Sequence, residues 1–298
     1  MSALVVDRVG PQALVVDRGR PGWAHIGVPT AGALDGPALA LANRLVGNPA
    51  DAAGVEVLLG GFAVRTATAT TVAVAGPPGA LHVEVDGRRT RTAGTHTTVH
   101  LRGGDVLALP APISGLRHYL AVTGGIDAEV VLGSRSADTL SGLGPAPLRP
   151  GDRLTVGPPP AGPAGPAGPV GASVVGDHLV IPIALGPRDE WIDDAATALR
   201  ATLWTVAPTG DRVGVRLDAT ADRLLVRAPS VADRELPSEG LVLGAVQVPP
   251  DGHPIVFLAD HPTTGGYPVV GVVGEEALPA FAQARPGSTV RFVPRRVS

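Results

Sequence analysis

Short runs of apolar and β-branched residues, broken at intervals near ten residues by Gly, Pro or Asp-Gly, set the rhythm of the chain. In the first half this pattern falls on residues 71–75, 81–85, 97–101, 105–109 and 118–122, with Asp86-Gly87 and Gly103-Gly104 among the interruptions. The second half repeats it at 179–185, 202–206, 213–217, 241–248, 254–258, 269–273 and 289–293. Many short strands at such spacing predict a sandwich or barrel. The string Ala3-Leu4-Val5-Val6-Asp7-Arg8 returns as Ala13-Leu14-Val15-Val16-Asp17-Arg18, which predicts a hairpin about Gly10-Pro11. Helical signals are confined to three places. Asp35, with Gly36-Pro37 after it and Gly47 at the far end, brackets 38–46, because Asp caps free amide donors, Pro suits a first turn and Gly suits a left-handed end. Asp193-Asp194 opens a second helix to about Ala201. Glu275-Glu276 opens a third to about Ala284, with Pro279 as its weak point. The expected class is mostly β, two β-barrel domains with a few short helices, and not a doubly wound α/β sheet.

The pattern lapses at 158–171, where Pro158-Pro159-Pro160 leads into Ala-Gly-Pro repeats with few large side chains to bury. Such a stretch reads as an exposed linker, and its Gly-Pro-Ala period is too brief for collagen. The expected domains are therefore 1–157, a linker at 158–171, and 172–298.

Composition narrows the chemistry. The 298 residues hold 24 basic and 27 acidic side chains, a net charge of −3, which is no nucleic-acid footprint. Cysteine is absent, excluding disulfides, thiolate nucleophiles and Cys-ligated metals. All 24 basic residues are arginine, so Schiff-base chemistry, a phosphate-loop lysine and a biotinyl-lysine are excluded as well. No run of 18 apolar residues and no leader pattern is visible, so a cytoplasmic location is the expectation.

No nucleophile elbow, phosphate loop or zinc-protease helix motif occurs. The most unusual segment is Asp260-His261-Pro262-Thr263-Thr264-Gly265-Gly266-Tyr267-Pro268, a polar, Gly-rich turn directly after an apolar strand. Its amides, hydroxyls and carboxylate suit a small anion, and they equally suit a structural turn capped by its own side chains. In Arg212-Val213-Gly214-Val215-Arg216, a strand would turn both guanidiniums to one face as an anion clamp. The alternative is surface pairing with Asp218 or Asp222. Glu239, in Pro237-Ser238-Glu239-Gly240, could serve as general base or amide acceptor. Gln247, one of three glutamines, sits in an apolar strand and needs partners if buried. Asn43 and Asn48 are the only asparagines, which singles them out. Glu56 and Arg135 read as structural ion pairs, and Asp35 as a helix cap.

Taken in order, these segments resemble a known family. Gly19-Arg20-Pro21-Gly22, the stretches 27–35 and 41–48, Gly124-Gly125-Ile126-Asp127, Leu132-Gly133-Ser134-Arg135-Ser136, Gly186-Pro187-Arg188, 211–216, 237–240 and 263–268 follow the order found in the biotin-dependent carboxyltransferase-like family. That family is also called allophanate hydrolase subunit 2, and its branches include one of the subunits of bacterial 5-oxoprolinase, KipA and part of urea carboxylase. The resemblance implies cyclophilin-like β-barrels, and a partner of the KipI or allophanate hydrolase subunit 1 type, with a LamB/YcsF-type subunit in some branches. It implies ATP-driven opening of 5-oxoproline to glutamate, with ATP bound in the complex. Alternatives are a non-enzymatic KipA-like regulator, or transfer of a carboxyl group from carboxybiotin to urea or another amide. Within it, Asp260, Glu239, Thr263 and Thr264 become the catalytic candidates. Arg212, Arg216, Gln247, Gly265, Gly266, Tyr267 and Asn43 become the substrate-binding ones. Two departures stand out: Pro262 replaces the expected Gln before the paired threonines, and Gln-Asp-Leu-Gly near the start reads Val16-Asp17-Arg18-Gly19.

Overall fold

A computed structural model describes residues 2–85, 88–160, 176–219 and 224–295. They divide into two compact units, one of residues 2–20, 31–138 and 142–160, the other of 21–30, 139–141 and 176 onward. Segments 21–30 and 139–141 group with the second unit, and the greater part of the expected linker, 161–171, lies outside the described residues.

The first unit is built from β1 (Ala3–Arg8), β2 (Gln12–Val16), β3 (Gly54–Leu58), β4 (Phe62–Thr66), β5 (Thr70–Ala75) and β6 (Ala80–Val85). It continues with β7 (Arg88–Gly94), β8 (Thr98–Leu101), β9 (Val106–Leu109), β10 (Arg117–Val122) and β11 (Arg153–Thr155). They form two sheets, β11-β1-β4-β9-β6-β7 and β2-β3-β10-β5-β8. Side chains alternate across a strand, so β2, β5 and β10 can serve two cores at once. Val15, Val72, Val74, Leu120 and Val122 join the core that also holds Leu4, Val64, Leu81 and Leu107. Leu14, Val16, Ala73, Ala75, Tyr119 and Ala121 join a second core with Leu39, Leu41 and Ala42 of α1 (Gly36–Leu45). That double burial explains why these strands read as continuous apolar runs. The expected 3–18 hairpin does not form: β1 and β2 belong to different sheets. Each has apolar residues on both faces, and the chain crosses between sheets at Gly10, where a Cβ would meet the Gly60 carbonyl oxygen at 1.9 Å.

Asp35 caps α1, its carboxylate accepting from the Ala38 amide at 3.0 Å. The Asp35 amide in turn donates to the Tyr119 hydroxyl at 2.8 Å, which donates to Glu56 at 2.8 Å. Glu56 also accepts from the Leu34 amide at 3.1 Å and lies 3.6 Å from Arg117. Burial first, then the Glu56 charge, holds the Tyr119 hydroxyl well above its ordinary pKa, so it stays a donor. A second buried knot centres on Asp17, whose carboxylate accepts from Ser134 at 2.6 Å, Ser136 at 2.7 Å and the Arg135 and Gly19 amides. Asn43 and Asn48 are likewise engaged inside this unit, Asn43 donating to the Ala52 carbonyl at 2.6 Å and accepting from Asn48 at 3.0 Å. Arg135 pairs with Asp127 at 3.1 Å.

The second unit contains β12 (His178–Leu185), β13 (Trp204–Val206), β14 (Gly214–Ala219), β15 (Glu239–Gly240), β16 (Ala245–Gln247), β17 (Ile255–Phe257), β18 (Thr264–Gly265), β19 (Val269–Val273) and β20 (Thr289–Arg295). Seven of them close a barrel in the order β12-β19-β16-β17-β14-β13-β20. Trp204, Leu217, Val246, Val256, Val270 and Phe292 are fully buried in this unit. Of the strand expected over 241–248, only 245–247 enters the barrel. α2 (Ala195–Ala201) starts on Asp194 as its composition predicts. α3 (Leu278–Gln283) starts later than its acidic pair suggested, because Pro279 sits in the first turn, where no amide donor is missed. Among the described residues no helix is long and apolar enough to cross a membrane.

His118, on β10, is buried, with its Nε2 3.2 Å from the Pro77 carbonyl oxygen. Burial lowers its pKa from 6.5 to about 4. Below pH 6.5 the unfolded chain takes up a proton that the folded chain refuses until about pH 4, so stability falls with pH across that window. The loss attributable to this group approaches about 3 kcal/mol. Urea unfolding of His118→Gln should show a correspondingly shallower decline than wild type; parallel declines would count against it.

Candidate functional site

Two chain segments of the second unit meet as a small ribbon. β15 pairs antiparallel with β18, Glu239 opposite Gly265 and Gly240 opposite Thr264. The Leu241 amide extends the pairing by donating to the Thr263 carbonyl at 2.8 Å. Gly265 is required by close approach: a Cβ there would lie 2.6 Å from Gln247 Nε2 and 2.9 Å from Leu241 Cδ1. Gln247 is buried and donates to the Tyr267 carbonyl at 3.1 Å, which satisfies its amide and fixes the end of the turn.

The root of the same loop is an ion pair. Arg212 and Asp260, 1% and 0% exposed, form a two-pronged contact, Nε to Oδ2 and Nη2 to Oδ1 both at 2.9 Å. Oδ2 also accepts from the Thr139 amide at 2.9 Å and hydroxyl at 2.6 Å. Four donors thus occupy the carboxylate. The backbones are stitched alongside, with the Asp260 amide to the Arg212 carbonyl at 3.1 Å and the Leu258 amide to the Val213 carbonyl at 2.9 Å.

Arg212 and Arg216 do not share a strand face. The Asp211 carboxylate accepts from the Val213 and Gly214 amides at 2.8 and 3.1 Å, turning the chain so that β14 begins only at Gly214. Arg212 points into the loop root, whereas Arg216 pairs at the surface with Asp251 at 2.6 Å, and that hydrogen bond holds the Asp251 carboxyl below its usual range. Glu239 is gripped by Arg188, whose Nε lies 3.1 and 3.2 Å from its two oxygens and whose Nη2 bonds it as well. The hydrogen bond to Glu239 raises the Arg188 pKa further.

Two hollows flank the ribbon. One, of about 270 Å³, has Leu236, Val248, Pro249 and Pro250 against Trp191, with Gly266, Tyr267 and Pro268 on its wall and Arg227 and Glu235 beside them. The other, of about 410 Å³, shares Trp191, Glu235 and Leu236 and adds Arg188, Arg234 and Glu239. Of the sequence candidates, Gly266 and Tyr267 line the first and Glu239 the second. Thr263, Thr264, Gly265, Gln247, Arg212, Arg216 and Asp260 line neither, and Asn43 belongs to the first unit. Sequence reasoning passed over Trp191, Arg227, Arg234 and Glu235. A signal existed: Trp191 is one of three tryptophans and follows Gly186-Pro187-Arg188 closely.

Removing one partner of a buried ion pair leaves an uncompensated charge. Arg212→Met alone should destabilise the chain by about 3–5 kcal/mol in denaturant unfolding, and Arg212→Met with Asp260→Leu by clearly less than the two single losses combined. Strict additivity would show that the two side chains do not act as a unit.

Comparison with known proteins places this architecture. Residues 26–294 match the family described as the carboxyltransferase domain, subdomains A and B. A 5-oxoprolinase subunit of Escherichia coli K12 is 36% identical over 294 residues, spanning 97% of this chain and 90% of that protein. The urea amidolyase of Lachancea kluyveri is 29% identical over 303 residues, 93% of this chain but 16% of that much longer protein. Among solved structures, TTHA0988 superposes with a TM-score of 0.83 at 33% identity, covering 98% of this chain, which spans 55% of that one. Kluyveromyces lactis urea carboxylase gives a TM-score of 0.83 at 27% identity, over 98% of this chain and 27% of that chain. With the family match running over most of its length, the chain belongs to the carboxyltransferase-domain family.

Proposed function

We propose that this chain is one component of a multi-chain, ATP-dependent amide hydrolase of the 5-oxoprolinase type, which opens 5-oxoproline to glutamate. The observation that carries this is the 36% identity to a protein named as a 5-oxoprolinase subunit, with nearly full coverage of both chains. In the reaction the lactam C–N bond breaks, one water supplies hydroxyl to the acyl carbon and hydrogen to nitrogen, and a second water takes the terminal phosphoryl group of ATP to give ADP and phosphate. A lactam carbonyl is a weak electrophile, so catalysis needs donors placed where charge develops on its oxygen. The Thr263, Thr264, Gly265 and Gly266 ribbon is our candidate for those donors, with Asp260 and Arg212 as its positioning root. Partners of the KipI or allophanate hydrolase subunit 1 type, and of the LamB/YcsF type, complete the enzyme in the cytoplasm. ATP is expected in the assembled complex, and no residue of this chain is assigned to it.

A second reading is favoured by the family itself and by the urea amidolyase relatives: transfer of a carboxyl group from carboxybiotin to an amide, with the biotin carrier on another chain. Reconstitution separates the two. The complete set of subunits should hydrolyse ATP in a 5-oxoproline-dependent manner, and omitting this chain should abolish it. Carboxybiotin-dependent carboxylation instead would favour the second reading, and assembly without any turnover a KipA-like regulator. In the active complex, Gly265→Ala should lower turnover, because its Cβ would press on Gln247 Nε2 and Leu241 Cδ1 and disturb the packing that holds the ribbon. An unchanged rate would remove the ribbon from the mechanism.

A further inference from the structure

We propose that the hollow walled by Trp191 and the 266–268 turn is a site for a small zwitterion, an α-amino acid with an uncharged, apolar side chain. Arg227 receives its carboxylate and Glu235 its ammonium group. The inference goes beyond the amide-hydrolase reading and does not rest on it.

Both charges border one space. Arg227 and Glu235 line the hollow of about 270 Å³ together with Gly266 and Tyr267, whereas Arg234 lines the neighbouring one with Arg188 and Glu239. Among the described residues neither Arg227 nor Glu235 lies within ion-pair distance of an opposite charge, and they do not pair with each other. A cation and an anion therefore share one small hollow without neutralising one another. A ligand with a single charge engages one of them and leaves the other; a zwitterion engages both. Charge-assisted hydrogen bonds are about twice as strong as neutral ones, so Glu235 favours an ammonium group over a neutral amide N–H. The hollow thus separates a free amino acid from its lactam or acylated form.

Arg227 is held by local contacts. Its guanidinium carbon lies 5.1 Å from the Trp191 ring centroid, and its Nε donates to the Val231 carbonyl at 2.9 Å. These contacts use one face and the Nε position, and they leave the two Nη groups, a fork whose geometry matches a carboxylate. The ring beneath is fixed in turn. Trp191 is 4% exposed, packs with Ala228, Val231 and Leu236, and accepts from the Ala228 amide at 2.8 Å through its carbonyl.

The rest of the wall is largely apolar, with Leu225, Leu236, Val248 and Pro249. Low-dielectric walls focus the field of the two charges into the hollow, so each acts on a ligand there more strongly than at an open surface. The same walls leave a further ligand charge without a partner, which disfavours an acidic side chain such as that of glutamate. The hollow lies just below the roughly 300–1,000 Å³ usual for ligand pockets, which limits the occupant to a small molecule.

The test follows the indole N–H signal of Trp191 in the full-length, isotopically labelled chain, assigned with Trp191→Phe. L-Proline, a small ring carrying both charges, should displace that signal saturably. Cyclopentanecarboxylate, with the negative charge alone, and pyrrolidinium, with the positive charge alone, should not do so at equal concentration. 5-Oxoproline, whose ring nitrogen is a neutral amide, should displace it less than proline does. Glu235→Gln, at an exposed position, and Arg227→Met should each weaken the proline response about tenfold or more. Arg234→Met, in the neighbouring hollow, should leave it unchanged. No displacement by proline, an equal or greater effect of either singly charged ring or of 5-oxoproline, a wild-type response in Glu235→Gln or Arg227→Met, or loss of the response in Arg234→Met overturns the site. Turnover of 5-oxoproline by the reconstituted complex reports on the hydrolase reading alone, so the two readings fail separately.

Discussion

The contact on which the site depends is the buried pair between Arg212 and Asp260. Taking both charges out of water is costly, and the cost is offset only because the carboxylate is filled by a two-pronged arginine and by two donors from Thr139. The chain leaves β17 at Phe257 and must return to β19 at Val269, and both strands pair with β16. The intervening loop is therefore anchored on the barrel at both ends, by the ion pair at its root and by Gln247 under Tyr267. Pairing with β15 fixes its middle. A turn rich in glycine would otherwise sample many conformations, and these three restraints leave it one.

The first unit solves a different problem. One sheet there is covered by the other sheet and by α1, so β2, β5 and β10 carry apolar residues on both faces. Small alanines at 73, 75 and 121 lie in the core shared with the helix. Two sets of polar groups that this burial traps are satisfied among themselves, Tyr119 with Glu56 and Asp35, and Asp17 with Ser134 and Ser136. Satisfied networks of this kind specify one arrangement of a core, since any slip strands a charge.

Strand positions were legible because turn residues punctuate them, and α1 was legible because its cap and its terminal glycine are local signals. Pairing was not. The echo of residues 3–8 at 13–18 looks like a hairpin, yet nothing local reveals that each strand is wanted in a different sheet, a demand set by the face each must bury. The same limit shaped the reading of the site. A count of two placed Arg212 and Arg216 on one face, but the Asp211 turn, a contact between side chain and backbone, delays the strand and sends the two arginines apart. Gln247, Glu239 and the Thr-Thr-Gly-Gly segment were singled out by residue type and do converge, because β15 and β18 join them. Trp191 with its two arginines escaped notice because cation–ring contacts have no sequence spacing.

The charge balance around the ribbon bears on how labour is divided in the proposed enzyme. Its two nearest carboxylates, Asp260 and Glu239, are each engaged by an arginine. Neither arrangement resembles that of a poised general base, which is desolvated and free to accept. What the unit does present beside the ribbon is an apolar hollow of about 270 Å³. A hollow of that kind suits the holding and orienting of a small ligand, and orientation alone accounts for a large part of many rate enhancements.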